Sequence, residues 1–248
     1  SKAELIFKEK IDLEKIHFSY DNGQPVLSGV NLCIECNTTV GLVGSTGSGK
    51  TTLVDIILGL LDPKKGSITV DSIKINQKNS KIWQRKLGYV PQSIFLLDDS
   101  IKRNIAFSAS GNQINDERII EVAKMANLHQ YITTLDEGYN SKVGERGVRL
   151  SGGQIQRIGI ARALYNNPEV LILDEATSAL DGVTENAVMD AIHNLSNKKT
   201  IIMIAHRLST IKECDVIYFL DNGKIADSGS YNELIKSNQK FKEMSNML

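Results

Sequence analysis

Cysteine is scarce, charge is balanced and long apolar runs are missing in this sequence of 248 residues. Three cysteines make an odd, low count, which fits a reducing compartment better than a disulfide framework. Lysine plus arginine and aspartate plus glutamate number 29 each, and this neutral balance argues against a nucleic-acid-binding protein. The composition, 41% hydrophobic and 23% charged, is ordinary for a globular protein.

No apolar run approaches the roughly 20 residues that a membrane-spanning helix needs, and no signal-peptide pattern opens the chain. The richest apolar segment, residues 53–61, is too short and contains Asp55. We therefore expect the isolated chain to be soluble. If it works at a membrane, another domain or another chain supplies the membrane part.

Cys33 and Cys36 form a C-x-x-C pattern, a spacing also found in zinc sites. They fall in a predicted strand, where positions i and i+3 face opposite sides. A four-ligand zinc site would also need further ligands that the sequence does not supply. We expect a structural role for both residues.

The strongest motif is a phosphate-binding loop at residues 44–51, which fits G-x-x-x-x-G-K-[ST]. A short apolar run precedes it and a helical pattern over residues 52–61 follows, the context that this motif requires. The glycines let backbone N–H groups point at phosphate oxygens, and the helix start adds positive potential. We expect Lys50 to reach the β- and γ-phosphates and Thr51 to offer its hydroxyl to Mg²⁺. The predicted nucleotide-binding residues of this segment are Gly44, Ser45, Thr46, Gly47, Ser48, Gly49, Lys50, Thr51 and Thr52.

Strands and helices alternate along the chain, which predicts an α/β fold with a mostly parallel sheet. Antiparallel strands are expected before the phosphate loop, and a hairpin and a short strand after it. Buried strands are expected at residues 170–173 and 200–205, and a capping box at residues 230–233 opens a last helix. The predicted elements, in chain order, are strands at 11–20, 26–35, 66–70, 73–75 and 88–92, helices near 99–106, 115–127, 128–134, 151–165 and 184–195, and a hairpin at 216–227.

Three parts are predicted within this single domain. Residues 1–92 form an antiparallel β subdomain and the phosphate-loop part of the core. Residues 93–150 form a helical subdomain. Residues 151–248 form the remainder of the core and a C-terminal helix.

Two acids, Asp174 and Glu175, follow the apolar strand predicted at residues 170–173. Phosphoryl transfer needs Mg²⁺ beside the phosphates and a water aligned with the γ-phosphorus. We expect Asp174 to orient the Mg²⁺ shell, through water, and Glu175 to polarise the attacking water.

A further motif, residues 150–154, reads Leu-Ser-Gly-Gly-Gln. The phosphate loop, this motif and the two acids follow one another along the chain. With these motifs, nearly the whole chain resembles the ABC ATPase family, which has a P-loop NTPase core and the signature L-S-G-G-Q. The resemblance implies that Tyr20 stacks on adenine and that Gln92 is a catalytic glutamine that also binds Mg²⁺. It also implies that Asp181 belongs to the D-loop and that His206 is the catalytic switch histidine.

The start of the helix at Ser151 predicts a second anion-binding site, because Ser151 is a good N-cap and glycines follow it. One nucleotide cannot easily be held by both sites within one chain. The family resemblance implies that two domains pair head to tail and that each signature closes on the other's ATP. In this chain the signature residues are Ser151, Gly152, Gly153 and Gln154.

Residues 144–147, Gly-Glu-Arg-Gly, resemble the X-loop of export-type ABC transporters, which places Glu145 near the membrane domains. The implied partners are transmembrane domains, fused N-terminally, and a second ATPase domain in a homodimer; no nucleic acid is implied. The implied place is the cytoplasmic face of the cell membrane.

The transported substrate is chosen by membrane helices. Residues 41–46 and 55–61 resemble bacterial flippases for lipid-linked saccharides. A peptide or drug exporter is one alternative, and a soluble ABC ATPase acting on DNA or ribosomes is another. The interval between Gln92 and Ser151 is too short for a long coiled-coil insertion, which argues against the soluble class. A nucleotide sensor without turnover is disfavoured because Glu175 and His206 are intact.

Overall fold

The computed structural model describes residues 5–21, 23–107, 109, 113–177, 180, 182–196, 198–205 and 207–246. The described chain divides into two units. One contains the residues up to Leu87 and from Lys198 onward, and the other runs from Gly88 to Ser196. Both contain strands and helices, so the predicted α/β class is confirmed.

The described residues form β-strands in both units. In chain order they are β1 (Lys10–Phe18), β2 (Leu27–Glu35), β3 (Thr39–Gly44), β4 (Lys65–Val70), β5 (Ile73–Lys74), β6 (Leu87–Val90), β7 (Val170–Asp174), β8 (Thr200–Ile204), β9 (Val216–Asp221) and β10 (Lys224–Gly229).

The described residues also form α-helices in both units. In chain order they are α1 (Lys50–Ile57), α2 (Ser80–Gln84), α3 (Ile101–Ile105), α4 (Asp116–Met125), α5 (His129–Thr133), α6 (Gly152–Tyr165), α7 (Gly182–His193), α8 (Tyr231–Ser237) and α9 (Gln239–Asn246).

The first unit contains an antiparallel sheet in the order β2-β1-β4-β5. β1 pairs with β2 through Leu13 opposite Leu32 and Phe18 opposite Leu27. The apolar residues of β1 alternate with polar ones, so one face of the strand is buried, as strand periodicity requires. The predicted antiparallel strands before the phosphate loop are confirmed.

The first unit also holds the strands β10-β9-β3-β8 in this order. β3 runs parallel to both β8 and β9, with Val40 opposite Ile202 and Val216, whereas β10 is antiparallel to β9. All residues of β3 and β8 are buried, as expected for parallel strands covered on both faces. Because β3 ends at Gly44, the phosphate loop leaves the carboxyl end of a buried strand, where α/β folds place their ligands.

A tyrosine hydroxyl joins these two sheets within the first unit. The Tyr218 hydroxyl on β9 donates to the Cys33 carbonyl over 2.6 Å and accepts from the Cys33 N–H over 3.1 Å. Burial raises the pKa of the Cys33 thiol to about 11. The backbone of Cys33 therefore has a structural role that its place in the C-x-x-C pattern did not reveal.

Two helices of the first unit differ from the sequence prediction. α1 ends at Ile57, short of the predicted residue 61, because Gly59 adopts a left-handed φ of 67° and Leu60 is 63% exposed. α2 was not predicted, since it has a single fully buried side chain, Trp83, whose indole N–H donates to the Ile57 carbonyl over 2.7 Å.

The capping box predicted at residues 230–233 is confirmed at the start of α8. It does not open the last helix, however, because α8 ends at Ser237. Asn238 takes an extended conformation there, and α9 follows.

The second unit holds β7 and, from Gly88 onward, its neighbouring strand β6, together with the helical segment predicted between residues 93 and 149. The predicted helices appear there as α3, α4 and α5. α3 and α4 both pack on α6. The subdivision of the chain at residues 92 and 150 stays a prediction.

The described residues contain no helix that is long and apolar enough to cross a membrane. In the same part of the chain, no three histidine, cysteine, aspartate or glutamate side chains lie together as metal ligands.

Candidate functional site

The phosphate loop lies between the end of β3 and the start of α1. Gly49 is the N-cap of α1, with a left-handed φ of 103° that favours glycine. The side chain of Lys50 is 5% exposed, and its Nζ donates to the carbonyls of Gly44 over 2.7 Å and Ser45 over 3.0 Å. The ammonium group is therefore held against the backbone of its own loop.

The residues of this loop fit a bound phosphate group. Ser48 is 2% exposed, and its buried Oγ has no hydrogen-bond partner among the described residues. A buried hydroxyl without a partner calls for an explanation in terms of a ligand, ion or water. At the start of a helix, where N–H groups favour anions, a phosphate oxygen would satisfy that hydroxyl.

Exposure along the loop separates its tip from its base. Ser45, Thr46 and Gly47 are exposed, whereas Gly44, Ser48, Gly49 and Lys50 are buried. Thr51 is exposed and Thr52 is buried. Thr51 thus lies at the surface of the unit and its role toward Mg²⁺ stays a prediction, while the Thr52 side chain packs inside the unit.

Tyr20 lies in the same unit as the phosphate loop and contacts the first turn of α1. Its hydroxyl forms a 3.0 Å hydrogen bond with Oγ1 of Thr52, and its ring meets the Phe18 ring edge-on at 5.0 Å. The side chain is 50% exposed, so part of it remains available for stacking on a base. The bond to Thr52 was not predicted, because no local pattern joins residues 32 positions apart.

The two predicted acids lie in the second unit, where β7 ends. The amide Nε2 of Gln92 donates to Oε2 of Glu175 over 2.7 Å, so two predicted catalytic residues are in direct contact. Glu175 has a φ of 50°, an uncommon value for a non-glycine residue. Such backbone strain concentrates at functional sites.

Tyr89 is a site residue that sequence reasoning missed. Its hydroxyl donates to Oδ2 of Asp174 over 3.1 Å. Tyr89 lies on β6, whose neighbour in the sheet is β7, the strand that ends at Asp174. The sequence places Tyr89 on the short strand that leads to Gln92, but its contact with Asp174 appears only in the folded sheet.

Side chains of α6 hold the segment that follows Gln92. Gln156 Nε2 donates to the Gln92 carbonyl over 3.1 Å. Arg162 donates to the carbonyls of Phe95 and Asn104, each over 2.8 Å. Burial lowers the pKa of the Arg162 guanidinium, but arginine is effectively always protonated in proteins, so these remain charged donors. The helix that begins at the signature therefore supports the backbone around Gln92.

The signature motif forms the start of α6. Ser151 is the N-cap, as predicted, with a capping box in which its N–H donates to Gln154 Oε1 over 2.8 Å and its Oγ accepts from the Gln154 N–H over 3.3 Å. Gly152 is exposed and Gly153 is buried. A Cβ atom at Gly153 would lie 1.8 Å from Cγ2 of Thr184, so this glycine is required by packing against α7.

Glu145 is exposed and begins a single turn of 3₁₀-helix, Glu145–Gly147, whose last residue is buried. Val148, which follows this turn, is 80% exposed. Asp181 and His206 lie outside the described residues, as do Ser178 and Ala179, which belong with Asp181 to the predicted D-loop motif of residues 178–181. Their roles stay predictions.

Comparison with known proteins relates both units to one family. The ABC transporter family matches residues 27–178. The ATP-dependent lipid A-core flippase of Saccharophagus degradans is 44% identical, over 92% of this chain and 39% of that protein. A Staphylococcus aureus protein provisionally named a multidrug export ATP-binding/permease protein is also 44% identical, over 91% of this chain and 39% of its own length.

A solved structure agrees with this result. The structure of a bacterial Atm1-family ABC exporter with ATP bound matches 98% of this chain at a TM-score of 0.89 and 35% identity, and the match covers 42% of that exporter. The chain thus spans about two fifths of the length of these relatives, and the predicted P-loop NTPase fold is confirmed. The family implies ATP binding and hydrolysis. This chain belongs to the ABC transporter family, as an ATP-binding domain of the kind found in its export-type members.

Proposed function

We propose that this chain is the Mg²⁺-dependent ATPase domain of an export-type ABC transporter. The observation that carries the proposal is the 2.7 Å hydrogen bond between Gln92 and Glu175 at the end of β7. A carboxylate at this place, fixed by a side-chain amide, is suited to act as a general base toward a water. In this proposal the nucleotide is bound by Tyr20 and by residues 44–52, among which Lys50 is the most important.

The residues that would hold Mg²⁺ are Thr51, Gln92 and Asp174, the last through water. They offer a hydroxyl, an amide oxygen and a carboxylate, which suit a hard cation that keeps several waters. When bound, the ion neutralises charge on the phosphates. Tyr89 positions the Asp174 carboxylate by its hydrogen bond, and His206 contacts the γ-phosphate or the attacking water.

The proposal includes a head-to-tail pair of these domains. The exposed start of α6 has Ser151 and Gly152 at its surface, and the first N–H groups of a helix have no partner within the helix. They would receive the nucleotide bound to the partner domain, together with Gly153, Gln154 and the D-loop residue Asp181. ATP then stabilises the pair, and hydrolysis releases it.

Transmembrane domains complete the proposed transporter. The chain spans about two fifths of its relatives, one of which is named as an ATP-binding/permease protein. We therefore propose that membrane helices precede this domain in the same protein and that the domain works at the cytoplasmic face of the cell membrane. The exposed residue Glu145 would contact the membrane domains.

The proposed transport activity is the flipping of a lipid-linked saccharide, supported by the likeness to a lipid A-core flippase. The test uses the full-length protein in lipid vesicles. ATP hydrolysis should need Mg²⁺, stop with EDTA and rise when a lipid-linked saccharide is added. If hydrophobic drugs or peptides raised hydrolysis instead, the flippase assignment would be wrong. If the purified chain bound no ATP, the proposal as a whole would be wrong.

A further inference from the structure

The turn between β9 and β10, residues 221–223, contacts the phosphate loop from a distant part of the sequence. The Gly223 N–H donates to the Ser48 carbonyl over 3.2 Å. The Gly223 carbonyl accepts from the Ser28 N–H over 2.9 Å. One peptide segment therefore joins the phosphate loop to the beginning of β2, and all three segments belong to the first unit.

The approach at this junction leaves no space for a side chain on Gly223. A Cβ atom there would lie 2.2 Å from the Val26 carbonyl oxygen, and the φ of Gly223 is 71°. The phosphate loop meets the same strand, because a Cβ atom at Gly49 would lie 2.7 Å from Cδ2 of Leu27 and 3.1 Å from the Val26 oxygen. Val26 and Leu27 thus lie close to both the turn and the start of α1.

The strand segment at this junction also supports Tyr20. The Val26 N–H donates to the Phe18 carbonyl over 2.8 Å, and Leu27 is opposite Phe18 in the sheet. The Phe18 ring in turn contacts the Tyr20 ring at 5.0 Å. Displacing Val26 would therefore move the support of the Tyr20 ring relative to the loop that contains Ser48.

We propose that Gly223 is a positioning residue that sets the spacing between the Tyr20 ring and the phosphate loop. This inference rests on the proposed function, in which the Tyr20 ring stacks on the base and the phosphate loop holds the phosphates. Gly223 itself touches neither group of the nucleotide. The hydrogen bond from Gly223 to Ser48 holds the phosphate loop. The close contact of Gly223 with Val26 holds the strand segment that supports the Tyr20 ring.

The test compares a ligand that spans this distance with one that does not. Gly223→Ala should weaken ATP binding about tenfold, because the added methyl group displaces Val26, and with it the support of the Tyr20 ring, relative to the phosphate loop. Inorganic triphosphate, which uses the phosphate loop alone, should change by less than about twofold. Both affinities are measured on the 248-residue chain, by calorimetry for ATP and by displacement of a fluorescent ATP analogue for triphosphate.

The matched control is Gly138→Ala. Gly138 also has a positive φ, 51°, but a Cβ atom there would have no neighbour within 4 Å. This variant has the same kind of backbone strain in the second unit and should bind ATP like the unmodified chain. Circular dichroism and urea unfolding show whether both variants are folded.

Equal losses of ATP and triphosphate affinity in Gly223→Ala would overturn the proposal, because the loop itself would then be distorted. Unchanged ATP affinity would overturn it as well. If Gly223→Ala does not fold, a second variant has one glycine inserted between Asn222 and Gly223. The insertion releases the hydrogen bonds of Gly223 to Ser48 and Ser28 without adding a methyl group, and its affinities for ATP and triphosphate are compared in the same way. Failure of the unmodified chain to bind ATP would contradict the proposed function instead.

Discussion

The side-chain amide of Gln92 donates a 2.7 Å hydrogen bond to the carboxylate of Glu175, and the backbone carbonyl of Gln92 accepts another from Gln156 on the signature helix. The carboxylate is thus connected through Gln92 to the helix that begins at Ser151. This arrangement gives Glu175 a fixed position before any water or nucleotide is considered.

Glu175→Gln should bind ATP with unchanged affinity and hydrolyse it at least about 100-fold more slowly, because a general base is lost while the shape is kept. Phosphate release and ATP titration measure the two effects. Glu137→Gln, the same change at an exposed position of the second unit, is the control and should leave both unchanged. Near-normal turnover in Glu175→Gln would remove Glu175 from its assigned role.

Lys50→Ala should weaken ATP binding by roughly 10- to 100-fold and nearly abolish hydrolysis, because a charge-assisted contact to phosphate is lost. Lys78→Ala removes an exposed lysine elsewhere in the same unit and serves as the matched control. Calorimetric titration with ATP measures the affinities. If the two variants had the same affinity for ATP, Lys50 would not bind phosphate.

Tyr20→Ala should raise the KM for ATP and for GTP alike, because stacking depends little on the identity of the base. Tyr20→Phe keeps the ring and removes only the hydrogen bond to Thr52, so its KM should rise much less. Steady-state hydrolysis of both nucleotides measures this. Strict selectivity for ATP in the unmodified chain would mean that hydrogen bonds to adenine, and not stacking alone, recognise the base.

The buried thiol of Cys214 makes the free energy of unfolding depend on pH in the alkaline range. Burial, with Asp215 and Glu213 nearby, raises its pKa from 9.0 to about 12. Below pH 9 the folded and unfolded chains both keep the proton. Above pH 9 the unfolded chain loses it first, so the free energy of unfolding falls with rising pH by at most about 1.4 kcal/mol per pH unit for this group.

Urea unfolding at about pH 8 and about pH 10 tests this dependence. Cys214→Ala should lose less stability between the two pH values than the unmodified chain, although it starts from a lower stability because a buried side chain is shortened. The Cys33 thiol, whose pKa is also raised, contributes equally to both proteins. Identical losses in the two proteins would show that Cys214 does not titrate in this range.

Patterns within single segments predicted most of the fold. The alternation in β1, the apolar runs of β3, β7 and β8, and the capping boxes at Ser151 and Ser230 each encode one element locally. The end of α1 was misplaced, because the periodic apolar pattern continues past Ile57 while the backbone turns at Gly59. α2 escaped prediction because it buries one side chain, Trp83, which leaves no periodic signal.

The candidate site was predicted where a motif supplies it and missed where contacts are long-range. Lys50 and Glu175 belong to contiguous motifs. Tyr89, Gln156 and Gly223 act through partners far along the chain, and no spacing in the sequence joins Tyr89 to Asp174 or Gly223 to Ser48. Such partners become visible only when the sheet brings the segments together.

In the proposed head-to-tail pair two copies of this domain share each nucleotide, and mixing two inactive variants tests this sharing. Lys50→Ala damages the phosphate loop, and Ser151→Arg places bulk and charge at the start of α6. Each variant alone should be nearly inactive, because in a head-to-tail pair either change damages both sites. In a mixed pair both defects fall in one site, and the other site is intact.

The measurement is ATP hydrolysis by the mixture, with mixed pairs confirmed by a tagged pull-down and a linked pair with one damaged site as the reference for one-site turnover. The shared site predicts that activity returns in the mixture, up to that reference. If mixed pairs form and the linked reference is active, yet the mixture remains as inactive as its two components, each chain completes its own site and the head-to-tail account is wrong.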